Sequence, residues 1–102
     1  MTYAKRTDVN HRDIVDSLRR VPGVYVQDVA SCASLGFDII VRYQDRPPVF
    51  MEIKRDPKAR MTISEQKARK LYEPYWHRVH TFEDALRAVG IDVDGPPLPE
   101  GW

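Results

Sequence analysis

The pattern of apolar and polar residues is most regular between Gly36 and Lys54. Two apolar runs flank a polar turn around Asp45, an arrangement typical of a β-hairpin. Successive side chains of a strand point to opposite faces, so one face of each predicted strand is apolar: Phe37, Ile39 and Val41 on the first, and Val49, Met51 and Ile53 on the second. We therefore expect a hairpin that covers a core with one face and carries Asp38, Glu52 and Lys54 on the other.

The remaining apolar residues predict three helices and two further strands. Apolar side chains that recur every three or four positions indicate helices, and Thr residues followed three positions later by Glu or Asp indicate helix starts. In chain order, we expect a helix from Asp8 or Asn10 to Arg20, a strand over residues 24–29, the hairpin, a helix opened by Thr62 and Glu65, a short strand over residues 77–80, and a helix opened by Thr81 and Asp84. This α-β-β-β-α-β-α order predicts an α/β fold with a central mixed sheet flanked by helices.

Composition and charge narrow the class of protein. A chain of 102 residues suits one small domain, and its single cysteine, Cys32, excludes an internal disulfide and a cysteine-rich zinc site. No apolar run approaches the roughly 18–20 residues that span a membrane, and no signal-peptide pattern opens the chain, so we expect a cytoplasmic protein without a membrane partner. The formal net charge of +1 gives no overall attraction to nucleic acid, so any basic surface must be local.

One segment does carry a local excess of positive charge. Between Lys54 and Lys70 the chain has seven basic residues against two acidic ones. Phosphate contacts supply most of the non-specific affinity for nucleic acid. We therefore predict a nucleic-acid-binding surface, although a solubilising surface would show the same excess. The predicted binding residues are Arg55, Lys58, Arg60, Lys67 and Lys70.

The polar face of the hairpin indicates metal chemistry. Cross-strand neighbours on one face have Cβ atoms about 4.5–5.5 Å apart, so Asp38 and Glu52 would repel each other unless a cation lies between them. Mg²⁺ typically binds few carboxylates and several waters. The Ile53 carbonyl could add a third oxygen, and Lys54 could stabilise negative charge in a transition state. These residues suit the hydrolysis of a phosphodiester with Mg²⁺, or with Mn²⁺ in its place, but an ordinary solvated hairpin face could carry them too.

Five segments, in order along the chain, carry a resemblance to a known family. They are residues 8–15, 36–41, 50–54, 63–66 and 77–86. Together they resemble the PD-(D/E)XK nuclease superfamily and, within it, the virus-type replication-repair nuclease (VRR-NUC) domains found in many phage proteins. The resemblance suggests a nuclease domain over residues 8–91, preceded by a basic N-terminal arm, residues 1–7, and followed by a Pro-rich C-terminal tail, residues 92–102.

This resemblance implies a restriction-endonuclease-like core and a metal-dependent DNA endonuclease. By motif, Asp38 and Glu52 match the family's metal-binding acids, and Lys54 matches its lysine. Gln66 matches a glutamine at the start of the following helix and is implied as a further site residue. Because stand-alone domains of this group resemble junction-resolving enzymes that work as homodimers, the resemblance also implies a homodimer on branched DNA. A phage-encoded protein of this kind would act in the cytoplasm of the bacterial host.

The sequence leaves one metal ligand and the function itself open. Asp13 best matches an acid that the family often adds from its first helix, with Asp16 second, but an ordinary solvated carboxylate is as good an interpretation. A non-catalytic nucleic-acid-binding module, or a structural phage protein with the same fold, would share most of the pattern. The intact pair of acids and the lysine favour the enzyme over both alternatives.

Overall fold

The computed structural model describes residues 9–56 and 58–93, so the predicted arm and all but the first two residues of the predicted tail lie outside it. The elements, in chain order, are α1 (Val9–Arg19), β1 (Val24–Asp28), a short 3₁₀ helix η1 (Ala33–Leu35), β2 (Ile39–Tyr43), β3 (Val49–Ile53), α2 (Ile63–Tyr72), β4 (Trp76–Val79) and α3 (Phe82–Ala88). The predicted order of helices and strands is confirmed. No helix in the described ranges is both long and apolar enough to cross a membrane.

The four strands form one mixed sheet in the order β1-β2-β3-β4. β1 pairs with β2, and β2 with β3, in antiparallel orientation. β3 and β4 are parallel, because α2 carries the chain back along the sheet between them. The hairpin register pairs Ile39 with Met51 and Val41 with Val49. This register confirms the predicted hairpin and places position 38 opposite position 52 at its open end.

The main core lies between one face of the sheet and helices α1 and α3. Its buried residues are Ile14, Val15, Leu18, Val24, Ile39, Val41, Val49, Met51, Ile53, Val79, Ala85, Leu86 and Val89. The predicted apolar face of the hairpin is confirmed at five positions, of which Ile39, Val41 and Met51 are fully buried. Burial of one such aliphatic side chain stabilises a fold by about 1.5–3 kcal/mol, so these contacts hold the hairpin against the helices.

A second, smaller cluster lies under α2 on the other face of the sheet. Its buried residues are Phe37, Ala68 and Trp76, with Phe50 and Tyr72 among the residues packed against them. The rings of Phe37 and Phe50 are 5.0 Å apart. The prediction that Phe37 shares a face with Ile39 is therefore wrong. The strand β2 begins only at Ile39, and Gly36, with a φ of 81°, turns the chain so that Phe37 faces α2.

Both predicted capping boxes are formed. The Glu65 N–H donates a hydrogen bond to Thr62 Oγ1 at 3.2 Å, and the Thr62 N–H donates one to the Glu65 carboxylate at 3.1 Å. Thr81 and Asp84 make the same pair of contacts for α3, at 2.9 and 3.1 Å. These boxes satisfy amide donors that the start of a helix otherwise leaves without partners. They therefore fix the residue at which each helix begins.

Candidate active site

The candidate site lies at the C-terminal end of β3, where the two faces of the strand differ in character. Met51 and Ile53 belong to the main core, and the alternate residues Glu52 and Lys54 face α2 on the other side of the sheet. Glu52 is only 7% exposed. A solvated hairpin face would leave this carboxyl group in water, so that interpretation does not fit the burial of Glu52.

Asp38 lies just before β2 and is fixed to the segment that carries Glu52. Its backbone N–H donates to the Met51 carbonyl at 2.8 Å, and its Oδ2 accepts a hydrogen bond from the Ile53 N–H at 2.8 Å. The hairpin register extends to this pair, and the carboxyl groups of Asp38 and Glu52 interact electrostatically. The two acids that the sequence predicts as neighbours are thus brought together.

The ammonium group of Lys54 lies between two carboxyl groups. Its Nζ is 2.8 Å from Oε2 of Glu65 and 3.4 Å from Oε2 of Glu52. Glu65 is 6% exposed, and its other oxygen, Oε1, accepts the capping hydrogen bond from Thr62. The sequence indicated only the capping role of Glu65. Its position three residues before the buried Ala68, on the inner side of α2, is the signal that would have assigned it to the site.

Burial and like charge change the protonation of Glu52. Loss of solvent, the negative charge of Asp38 and a hydrogen bond to Glu65 raise the pKa of Glu52 to about 8, and the ammonium group of Lys54 opposes this shift only in part. At neutral pH the folded protein therefore keeps a proton on Glu52 when no cation is bound. Carboxyl groups with strongly perturbed pKa values concentrate at functional sites.

Lys54 and Glu65 form the charged pair of the site. Burial disfavours the charged forms of both Lys54 and Glu65, but the contact between the two groups stabilises these charged forms by more than burial disfavours them. The hydrogen bond from Lys54 lowers the pKa of Glu65, and the carboxyl groups of Glu65 and Glu52 raise the pKa of Lys54. The proton shared by the two glutamates therefore stays on Glu52, and Lys54 keeps its positive charge across the physiological pH range.

Two of the predicted site residues lie elsewhere. Gln66 is exposed, and its Nε2 donates to the Met61 carbonyl at 3.2 Å. Adjacent helix positions point about 100° apart, so the inward orientation of Glu65 turns Gln66 outward. Asp13 is exposed on α1, which packs on the opposite face of the sheet from Glu52. Within residues 9–56 and 58–93, neither side chain forms a hydrogen bond or ion pair with the acids of the site.

The ring of His80 contacts the backbone just after β3, and the backbone of His80 is itself held by two other side chains. Nδ1 of His80 is 2.9 Å from the Lys54 carbonyl oxygen, and because that oxygen can only accept, Nδ1 carries the proton. Asn10 donates to the His80 carbonyl at 3.1 Å, and Asp84 accepts from the His80 N–H at 3.0 Å. His80 therefore has a structural role beside the site.

The predicted nucleic-acid-binding residues lie on α2 and on the loop between β3 and α2, of which the structure describes residues 54–56 and 58–62. All five are exposed: Arg55, Lys58, Arg60, Lys67 and Lys70. The loop is held to the sheet by Arg78, which lies opposite Glu52 on β4 and donates to the Ala59 carbonyl. Lys54 belongs to the same basic segment, but its ammonium group contacts the acids of the site instead.

Asp38 and Glu52, with the Ile53 carbonyl, provide hard oxygen donors for a metal ion. Within residues 9–56 and 58–93 no three His, Cys, Asp or Glu side chains are grouped as a metal site. Mg²⁺ needs only one or two carboxylates beside its waters. Burial and the negative charge of Asp38 both raise the pKa of Glu52, so a cation at this position would favour the ionised form of Glu52. The donor set fits Mg²⁺ with two carboxylates.

Comparison of the chain with protein-family models, with curated proteins and with solved structures returned no match. The resemblance to the PD-(D/E)XK nucleases therefore remains a hypothesis that rests on sequence motifs. Its physical support is the buried cluster at the end of β3.

Proposed function

We propose that this domain is a Mg²⁺-dependent DNA endonuclease that hydrolyses phosphodiester bonds. The observation that carries the proposal is the cluster of Asp38, Glu52 and Lys54, in which Glu52 is almost fully buried. Burial of acidic groups beside one another destabilises a fold, so such a cluster indicates a task other than stability. Two acids and a lysine beside exposed cations suit the attack of water on a phosphate.

Each residue of the cluster has a separate role in this proposal. Asp38, Glu52 and the Ile53 carbonyl would hold Mg²⁺, which when bound supplies an activated water and neutralises charge. Lys54 holds a positive charge close to where negative charge develops on the phosphate in the transition state. Its ammonium group is already fixed by carboxyl groups, so it needs little reorganisation when the substrate arrives.

The exposed cations of the loop and of α2 would supply affinity for the DNA backbone. Phosphate contacts position a nucleic acid without reading its sequence, which suits an enzyme that selects a structure such as branched DNA. Two copies of the chain related by a two-fold axis would place two sites on one junction. Such an enzyme, encoded by a phage, would act in the cytoplasm of the bacterial host.

A cleavage panel tests the proposal: single-stranded, duplex, flap and four-way DNA, with matching RNAs, in Mg²⁺, Mn²⁺ or EDTA. We expect metal-dependent cleavage of DNA by the wild type, and a loss of roughly 100-fold or more for Asp38→Asn and for Lys54→Met. Both variants should still bind DNA in EDTA, because neither residue belongs to the exposed basic surface. Asp92→Asn, which changes an exposed carboxylate, is the control. Near-normal turnover of Asp38→Asn or Lys54→Met would show that the site is misassigned.

The exposed cations alone favour a second function. Residues such as Arg60 and Lys67 are exposed and can bind nucleic acid whether or not the acids are catalytic. A non-catalytic DNA-binding module would bind the same substrates with a similar dependence on salt. It would leave them intact with either metal ion, so the same panel separates the two functions.

A further inference from the structure

Glu65 hydrogen-bonds to the Thr62 N–H, to Lys54 and to the protonated carboxyl group of Glu52, and helix capping explains only the first of these contacts. Oε1 accepts the capping bond from the Thr62 N–H at 3.1 Å. Oε2 accepts from Lys54 Nζ at 2.8 Å, whereas Glu52 lies 3.4 Å from the same nitrogen. Because Oε1 alone forms the capping hydrogen bond, Oε2 can accept a hydrogen bond from Lys54 without weakening the start of α2.

The capping box of α3 provides an internal comparison. Asp84 accepts from the His80 and Thr81 N–H groups with the same Oδ2, and its Oδ1 lies 3.5 Å from Arg87 of its own helix. That carboxylate serves the start of α3 and the helix itself. Glu65 is buried to a similar degree, but its free oxygen contacts Lys54, which follows β3 and lies outside α2.

We infer that Glu65 is a positioning residue that holds the ammonium group of Lys54 at the candidate active site, an inference that rests on the proposed nuclease function. A lysine has a flexible four-carbon stem and three donors, so one partner leaves its ammonium group mobile. Glu52 also contacts Lys54, but in the proposed mechanism the same carboxyl group binds the metal ion. Glu65 is outside that assignment and keeps Lys54 in place when Glu52 is engaged.

Two substitutions separate this role from capping. Glu65→Gln retains an acceptor for the Thr62 N–H but places an uncharged amide against Lys54. Thr62→Ala removes the Oγ1 acceptor of the cap and leaves the contact between Glu65 and Lys54 in place. On cleavable DNA we expect Glu65→Gln to lower kcat by about 10- to 100-fold with KM nearly unchanged. We expect Thr62→Ala to lower the melting temperature with kcat unchanged.

A second measurement follows the same contact without catalysis. The melting temperatures of metal-free wild type, Glu65→Gln, Lys54→Met and the double variant form a double-mutant cycle. Each single substitution removes the same ion pair, so the double variant should melt higher than the sum of the two single shifts predicts. DNA binding in EDTA should be unchanged in Glu65→Gln, because Glu65 is buried.

Two results would overturn the role of Glu65 and leave the nuclease proposal standing. One is a wild-type kcat in Glu65→Gln, and the other is strict additivity in the cycle. A wild-type protein that cleaves none of the DNA substrates would instead overturn the nuclease proposal, and the inference would fall with it.

Discussion

Glu52 is 7% exposed and faces the carboxyl groups of Asp38 and Glu65. Burial and like charge both disfavour its ionised form, so the folded chain accommodates the site by keeping Glu52 protonated. Because Glu52 carries this proton, both the stability of the fold and the binding of a metal ion should depend on pH. Substitutions that relieve such a site commonly stabilise a protein and lower its activity.

The stability of the metal-free protein should decrease as the pH rises. The pKa of Glu52 is about 8 in the fold against 4.5 ordinarily, so between these values the folded state holds the proton more tightly than the unfolded chain. This contribution is fully present below pH 4.5 and is lost as the pH rises through 8. Glu52→Gln lacks the titration. Its melting temperature in EDTA should exceed that of wild type by an amount that grows from pH 5 to pH 9.

Glu83→Gln is the matched control for this experiment, because Glu83 is an exposed carboxylate in the first turn of α3. Its melting curve should follow that of wild type across the pH range. Parallel curves for wild type and Glu52→Gln would contradict the raised pKa of Glu52.

Binding of Mg²⁺ should tighten as the pH rises toward 8, because the ion must displace the proton from Glu52. Calorimetry in buffers of different ionisation enthalpy should show nearly one proton released per ion at pH 6 and fewer at pH 9. A hundredfold excess over Kd should stabilise the wild type by about 2.7 kcal/mol and should hardly change Glu52→Gln. Equal stabilisation of the two proteins would show that Glu52 is not a ligand.

At the level of elements, the contact between η1 and α2 depends on Gly36. This residue has a φ of 81°, and a Cβ added there would overlap the Ser64 carbonyl and lie 2.7 Å from Ala68 Cβ. We expect Gly36→Ala to lower the free energy of unfolding by roughly 2–5 kcal/mol, through backbone strain and overpacking together. Urea denaturation measures this loss.

Gly23→Ala is the control for the strain alone. Gly23 has a similar φ of 83°, but the nearest atom to an added Cβ is Gln44 Cγ at 3.2 Å, on an exposed side chain. This substitution should destabilise by about 1–2 kcal/mol. If the two variants unfold at the same urea concentration, the close approach of η1 to α2 contributes nothing to stability.

The exposed face of α2 should contribute to the salt dependence of DNA binding. Lys67→Ala combined with Lys70→Ala removes two cations from the proposed phosphate contacts, so the slope of log K against log salt should flatten by up to about 1.8. Affinity for all sequences should decrease alike, because phosphates carry no sequence information. Fluorescence anisotropy across a salt series measures both effects.

Arg12→Ala combined with Arg20→Ala makes the same change of net charge on the other side of the molecule. Both arginines are exposed, and α1 packs on the opposite face of the sheet from α2. This control should leave the slope nearly unchanged. Equal slopes for the two double variants would show that α2 makes no special contact with phosphate.

The helices and strands were predictable where the local sequence pattern favours the same structure as the packing of the whole domain. The alternation along β2 and β3 and the two capping boxes are local features, and each is formed as predicted. Phe37 was placed on the wrong face because the left-handed turn at Gly36, which ends the alternation before Ile39, depends on the packing of η1 against α2.

The site was predictable to the extent that it lies within one hairpin. Asp38, Glu52 and Lys54 are linked by strand alternation and a short turn, so sequence spacing alone brings them together. Glu65 reaches them only through the packing of α2 on the sheet, which spacing does not specify. The resemblance drew attention to Gln66 instead, one position away and on the solvent side of the helix.

For the whole molecule, the sheet separates two layers with different content. The layer of α1 and α3 contains the main core, and the layer of α2 contains Glu52, Glu65, Lys54 and the exposed Lys67 and Lys70. All of the proposed chemistry therefore lies on one side of a domain whose net charge is only +1.

A single site on one side of a small domain suits one strand of DNA, whereas symmetric cutting of a junction calls for two. We expect the protein to be a homodimer in solution. Light scattering at micromolar concentration should give twice the chain mass, and specific activity should decrease on dilution below the dimer dissociation constant. A monomer with full activity on four-way DNA would contradict this expectation.

The alternation along β3 also limits how such a chain can change over time. Residues 44–48 form the turn before this strand and contain none of the proposed catalytic groups. Insertion or deletion of a single residue there, transmitted into β3, would exchange its two faces and turn Glu52 and Lys54 toward the main core. A point substitution could remove the proposed activity and keep the fold, whereas a change of turn length that reaches β3 would affect both. If the proposed activity is under selection, that selection would therefore also act on the length of a loop that contains none of the proposed catalytic residues.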